Sequence, residues 1–362
     1  MNRFFSTWAR HFFFRFFSSV ALLVGLVYLL FVFIDLLSHI KDVADPKTTW
    51  GTWGKYYLCI LSLRLHVLLS FSIAAATALL LPRIVRGNEL IPLMNAGISL
   101  KRITLPFFAV TVVAASLLWI NTQFIFPKAM QEYHTISDTD FGRENIHSTP
   151  SRLGIIFFRE GSRLFFKQHN AKEALLKDTF WVKSFNCVLH IEDLRYFEDR
   201  IPEGRFVDVI ERDPTGKMVK TASYPSCELP ELQLTKEIIR FAQADPRDLS
   251  LSQLGIQLAR FGSSSSERAN EVTISFIQKL LFPLLACLAF FIPAPLCLSF
   301  ERRLPQALLL FISLASLFCL NIMFETTSVL ARAAPTHAVG ILLVPWLFIL
   351  FFVWRLFQRL TS

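Results

Sequence analysis

Ile103-Thr-Leu-Pro-Phe-Phe-Ala-Val-Thr-Val-Val-Ala-Ala-Ser-Leu-Leu-Trp-Ile-Asn-Thr-Gln-Phe-Ile-Phe-Pro127 runs for 25 residues without one charged side chain. A helix rises about 1.5 Å per residue and needs about 20 apolar residues to cross a hydrocarbon core about 30 Å thick. This run is long enough, and basic residues close it at both ends, Lys101 and Arg102 before it and Lys128 after it. It reads as a membrane-spanning helix, and the rest of the chain is read against it.

Five further apolar runs repeat the pattern: Phe16–Ile34, Tyr56–Leu81, Leu280–Phe300, Leu304–Phe324 and Ala338–Trp354. Only Arg64 and His66 interrupt the second. With flanking residues included, helices are predicted over about 16–37, 56–82, 103–127, 273–300, 304–329 and 337–357. The whole chain agrees: 53% of its 362 residues are hydrophobic and only 18% charged, with a mean hydropathy of +0.46. Ordinary soluble domains carry about 25% charge. The net charge of +9 does not point to nucleic acid, because much of the excess flanks apolar runs, where basic residues set topology.

Those flanks orient the chain. With the N-terminus inside, eleven basic residues fall on inner segments: Arg3, Arg10, Arg15, Arg83, Arg86, Lys101, Arg102, Arg302, Arg303, Arg355 and Arg359. Four fall outside: Lys41, Lys47, Lys55 and Arg332. Both termini are therefore expected in the cytoplasm. The first run has no small-residue cleavage site after it and reads as a retained helix. The fold class expected is a polytopic α-helical membrane protein with six transmembrane helices in a three-plus-three arrangement. The N-terminal membrane half covers 1–127, an inserted outer domain 128–270, and the C-terminal membrane half 271–362.

The outer domain reads as antiparallel β, sandwich or jelly-roll-like. Strands are expected at Leu153–Arg159, Arg163–Gln168, Phe180–His190, Arg205–Glu211 and Met218–Ser223, with turn chemistry at Glu160–Ser162 and Asp213–Gly216. A helix over Ser250–Phe261, capped by Ser250 or Ser252, leads through the flexible link Gly262–Ser266 to the fourth span. Of six cysteines only Cys187 and Cys227 lie in this domain. In an oxidising compartment they are a candidate disulfide; two free thiols is the equal alternative.

Catalytic signatures are missing from the sequence. There is no G-x-x-x-x-G-K-[ST], no H-E-x-x-H and no G-x-S-x-G. The acidic group Glu192, Asp193, Glu198 and Asp199 reads as a solvated strand edge, where charge discourages aggregation. No catalytic residue, metal or cofactor is expected.

One polar stretch between the second and third spans stands apart: Arg86-Gly-Asn-Glu-Leu-Ile-Pro-Leu-Met-Asn-Ala-Gly97. Asn88 suits a helix cap and Glu89 the first turn, against the helix dipole. Pro92 is tolerated early, and Gly97 is a C-terminal stop. The short helix over 88–97 would expose Leu90, Ile91, Leu93 and Met94. It either docks into a groove of a partner, with Glu89 meeting a basic group, or lies on the lipid surface.

Arg86, Asn88, Glu89, Leu90, Ala96 and Gly97 fit the cytoplasmic coupling helix of the LptF/LptG (YjgP/YjgQ) permease family, which this stretch resembles. A second likeness is independent of it. Leu249-Ser-Leu-Ser-Gln-Leu254, Gly262, Glu267-Arg268 and Gln278-Lys279-Leu-Leu-Phe-Pro283 resemble that family's lead-in to its fourth helix. The three-plus-three layout around a β domain also agrees.

The resemblance implies a non-catalytic permease subunit in the inner membrane of a Gram-negative bacterium. It would belong to an ABC transporter that extracts lipopolysaccharide and passes it to a periplasmic jelly-roll bridge protein. A cytoplasmic ABC ATPase dimer and a paralogous permease subunit would be its partners. The ATPase-coupling residues would be Arg86, Asn88, Glu89, Leu90, Leu93, Met94 and Gly97. Lys41, Lys55, Arg64 and Lys279 would be candidates for the lipid head, where arginine makes bidentate bonds to phosphate. The chain departs from the family at Val32-Phe-Ile-Asp35, where a basic residue is expected. Two other readings stay open: an ABC-type permease for another lipid or a lipoprotein, and a membrane-anchored assembly or signalling module without transport.

Overall fold

The computed structural model describes residues 7–38, 49–139, 154–158, 162–170, 174–197, 200–214, 216–232, 234–235, 238–239, 245–261, 267–298, 305–334 and 337–361. Lys41, Glu198, Asp199 and the link Gly262–Ser266 lie outside them. The chain divides into two compact units, Met1–Gly142 with Thr273–Ser362, and Arg143–Val272.

The first unit is helical. α1 is Thr7–Ser38, α2 Trp50–Arg86, α3 Leu90–Asn95 and α4 Leu100–Ile120. A π-helical turn, Asn121–Ile125, carries α4 into α5, Phe126–Thr139. Among the described residues five helical stretches are long and apolar enough to cross a membrane: Thr7–Ser38, Trp50–Arg86, Leu100–Tyr133, Arg268–Leu298 and Gln306–Ala333. The sixth apolar helix, Ala338–Val353, is shorter at about 24 Å of rise.

α1 buries Phe12, Phe16 and Val20, one turn apart. Phe12 stacks on Phe107 of α4 at 5.7 Å, and Phe16 meets Phe107 edge-on at 5.4 Å. The opposite face leaves Phe14, Leu22, Leu26, Leu29 and Phe33 more than half exposed. An apolar surface of that extent is untenable in water and suits lipid.

The second unit is a six-stranded antiparallel sheet: β1 Gly154–Phe157, β2 Arg163–Asn170, β3 Leu175–Ser184, β4 Cys187–Arg195, β5 Glu203–Arg212 and β6 Met218–Glu228. An antiparallel β domain is what the sequence leads one to expect. Its order is β1-β2-β3-β4-β5-β6 throughout, so each strand pairs with its chain neighbour as a meander. One expected strand, Phe180–His190, is two strands joined by a hairpin at Phe185-Asn186, with Ser184 opposite Cys187. Apolar residues on both sides of the turn, and no glycine or proline in it, hide the reversal.

A crease crosses the sheet. Buried positions normally recur every second residue along a strand. Here they recur three apart in three adjacent strands: Leu176 to Thr179, Ile191 to Leu194, and Gly204 to Val207. These residues pair in rows, Leu176 with Leu194 and Gly204, Thr179 with Ile191 and Val207. Between the rows lie Asp178 and Phe206, both left-handed at φ 51° and 52°. Each supplies the extra half-step that keeps apolar side chains on one face. Leu229, Leu232, Leu234 and Ile239, from the segment after β6, complete this core.

α6, Leu251–Phe261, follows. Ser250 caps it: the Gln253 N–H donates to Ser250 Oγ at 3.2 Å, and the Ser250 N–H donates to Gln253 Oε1 at 2.8 Å. This reciprocal capping box selects Ser250 from the two serines offered by the sequence. α7 Glu267–Phe291, α8 Pro293–Leu298, α9 Gln306–Ala333 and α10 Ala338–Thr361 complete the chain.

Candidate functional site

α2 ends in a reversal that Asn88 makes. Asn88 has φ 57°, and the Asn88 N–H donates to Val85 O while the Glu89 N–H donates to Ile84 O. That is the Schellman pattern, with Asn88 in the left-handed position that glycine or asparagine tolerates. Asn88 was expected to cap the next helix. It instead stops the previous one, and Glu89 takes the N-cap position of α3 without a side-chain capping bond. α3 is stopped in the same way: Gly97 has φ 78°, its N–H donates to Met94 O, and the Ile98 N–H donates to Leu93 O. Two Schellman motifs thus frame a helix of six residues.

The two sides of α3 differ. Leu90 is buried at 2% exposure within the main helical core. Leu93 packs against that core, as do Ile98 and Leu100. Ile91 and Met94 are each 40% exposed. The expectation that all four apolar residues face outward is therefore corrected. Leu90 and Leu93, one turn apart, are the two that meet the bundle, so they anchor the helix. Arg86 and Asn88 are exposed beside it.

Glu89 meets a cation of its own chain. Arg15 Nη1 donates to both carboxylate oxygens at 3.2 Å. The side chains are 35% and 39% exposed, so the pair is worth about 0–1 kcal/mol. A short helix with a fixed apolar underside, two exposed apolar side chains and a half-exposed carboxylate forms a ledge for a complementary groove.

The other candidate cations divide. Lys55 and Arg64 on α2 are exposed. Lys279 is 4% exposed, with Nζ 4.5 Å from the Phe126 ring centroid, a cation–π distance. Its helix, predicted from about residue 273, begins at Glu267, so Lys279 lies more than three turns inside α7. Three residues on, Phe282 stacks on His66 of α2 at 4.4 Å. Phe282 also meets Phe324 of α9, and Phe324 meets Trp346 of α10. This aromatic chain links four helices.

A buried polar clamp escapes sequence reasoning. Ser62 Oγ donates to Asn121 Oδ1 at 2.8 Å, and Asn121 Nδ2 donates to the Ser62 carbonyl at 3.0 Å. It fixes the π-helical turn against α2; such turns mark places where a helix is adapted locally. Asn121-Thr-Gln inside an otherwise apolar run was the available signal.

The β unit contains no Cys187–Cys227 disulfide; both are free thiols. Cys187 lies opposite Glu211 and Cys227 opposite Gly204. Those positions are about 23 Å apart along β5, whereas a disulfide needs Cα atoms within about 7 Å. Among the described residues no group of His, Cys, Asp or Glu is arranged to hold a metal.

A family model described as "Lipopolysaccharide export system permease LptF/LptG" matches residues 10–359. A search of curated proteins found no match.

Proposed function

The chain belongs to the LptF/LptG family of lipopolysaccharide export permeases, and from that membership we propose that it is the membrane half of an ABC transporter that lifts lipopolysaccharide from the inner membrane. The observation that carries the proposal is α3, a rigidly framed ledge between two membrane-length helices, with Ile91 and Met94 outward. The basic residues around it, Arg83, Arg86, Lys101 and Arg102, support a cytoplasmic position for it by the positive-inside rule.

A cytoplasmic ABC ATPase docks there, its groove receiving Ile91 and Met94 and one of its basic side chains meeting Glu89. A paralogous permease subunit completes the cavity. Lys55 and Arg64, exposed on α2, meet the anionic lipid head, with Lys41 on the same outer segment; the enclosed Lys279 acts only if the helices around it part. The periplasmic domain passes the lipid on by strand addition to a jelly-roll bridge protein. Among the described strands the sheet ends at β1 and β6, and β6 is exposed along most of its length. The chain itself is a transporter subunit and performs no catalysis; ATP hydrolysis belongs to the ATPase.

Affinity purification of the tagged chain in mild detergent, with mass analysis of bound proteins and lipids, tests this. A P-loop ATPase, a paralogue and lipopolysaccharide are expected. An ATPase with a different lipid would make this a permease for that lipid. Recovery of the intact chain with no ATPase would favour a membrane-anchored module.

A further inference from the structure

We propose that Arg15 is a positioning residue for the docking ledge: it holds the Glu89 carboxylate and ties the first transmembrane helix to α3. The inference rests on the docking reading above and adds a residue to it.

The two ends of the contact are anchored separately. Arg15 lies between Phe12 and Phe16, which are 4% and 0% exposed. Both pack on Phe107, and Phe16 also meets Phe290 edge-on at 6.2 Å. This turn of α1 is therefore fixed against α4 and α7, and the arginine projects from a rigid base. At the other end, the Glu89 main chain closes the Schellman motif through its bond to Ile84 O at 3.2 Å, and the next residue, Leu90, is buried.

Glu89 had another option. An acidic side chain at a helix N-terminus ordinarily turns to the free amides there. Here it makes no capping bond, and both oxygens face one guanidinium nitrogen across 74 residues of sequence. A carboxylate has about four acceptor sites. Arg15 uses two of them through a single nitrogen, and the side chain stays 39% exposed. Glu89 therefore has room for a second cation while Arg15 holds it, so that one carboxylate joins α1, α3 and the basic side chain of the ATPase.

The link matters because it is polar and reaches α3, whereas α1 is otherwise held mainly by apolar packing, with Trp8, Phe13, Leu23 and Val24 also set against the helical core. Phe12, Phe16 and Val20 are its buried residues, and further along Tyr28 OH donates to the Tyr57 carbonyl at 2.6 Å. A displacement of α3 at Glu89 is delivered to α1 close to its buried seam. The pair is too exposed to hold the fold together, so its loss should alter the ledge and leave the bundle intact.

The test is hydrogen exchange on the full chain in nanodiscs, comparing wild type, Arg15→Gln, Glu89→Gln and the double variant. Each single substitution should speed exchange in residues 89–98 by about twofold to fivefold, the range of a partly exposed pair. α4 should be unchanged, the double variant no faster than either single, and Arg15→Lys intermediate. Unchanged exchange in Arg15→Gln, or additive effects in the double variant, would overturn the proposal. Docking is measured separately by ATPase pull-down on the same preparations. If wild type binds no ATPase the docking reading fails, and the exchange cycle still decides whether Arg15 positions α3. Where the ATPase is retained, Arg15→Gln should move less lipid per ATP than wild type; equal transport would reject the link to α1.

Discussion

The side-chain amide of Gln306 donates to the main-chain carbonyl of Leu79 at 3.0 Å, joining the first turn of α9 to the last turns of α2. The contact falls where Pro82 interrupts α2. A proline inside a helix removes the donor to the carbonyl four residues back, here Ala78, and its ring crowds that turn; Leu79 is the next residue along. α2 continues from there into the reversal at Asn88, so α9 is fastened close to the turn that leads into α3. Gln306→Leu should lower the stability of the full chain in detergent by about 1 kcal/mol, the net value of a typical hydrogen bond. An unchanged unfolding midpoint would show that water serves Leu79 equally well.

The two faces of α3 should respond differently to substitution. Leu90→Ala removes a fully buried side chain and should cost about 2–4 kcal/mol, read as a lower thermal midpoint. Ile91→Glu and Met94→Glu change exposed positions and should stay within about 0.5 kcal/mol of wild type. They should nevertheless abolish ATPase recovery, because a charge would enter an apolar groove. Retention of the ATPase by both variants would move the docking surface elsewhere.

Gly154 lies under the ring of Phe166. A Cβ built at 154 would stand 2.0 Å from that ring, and Phe166 is fully buried. Gly154→Val should therefore cost about 1–3 kcal/mol and release β1 from β2. Limited proteolysis should then cut near residues 150–162 while the helical unit stays intact. Wild-type resistance would mean that the ring has another place to go.

Cys187 and Cys227 should both be free in chain isolated without reductant, each peptide carrying a maleimide adduct whose yield reductant does not increase. Burial, and secondarily the Glu211 carboxylate, push the Cys187 thiol above its ordinary 9.0. The thiolate is the reactive form, so labelling of Cys187 should be slow at pH 7 and rise about tenfold per pH unit up to that raised value. Glu211→Gln should speed labelling at a fixed pH, since it removes a charge that disfavours the thiolate. A pH-independent rate, or a disulfide-linked peptide, would contradict this account.

The apolar runs announced themselves because a continuous hydrocarbon core tolerates few charges, and the helices lie where those runs are. Details decided by three-dimensional packing did not announce themselves. Gly87 stands beside Asn88 and is the residue type that a left-handed turn favours, yet Gly87 has φ −72° and Asn88 makes the reversal. Leu90 and Met94 look alike in sequence, and only the bundle beneath α3 separates them. The crease through Asp178 and Phe206 uses non-glycine residues at positive φ, which leave no compositional mark. The exposed Arg64 and enclosed Lys279 are both cations in apolar stretches, and neighbouring helices alone determine which of them is left open.

The most direct measurement is a photo-crosslink from α3. With benzoylphenylalanine at Met94 of the full chain in native membranes, irradiation should join it to the nucleotide-binding ATPase, whereas the same group at the inward position Leu93 should not. Capture of lipid alone from Met94, with the ATPase absent, would contradict the account and make α3 a helix resting on the membrane surface.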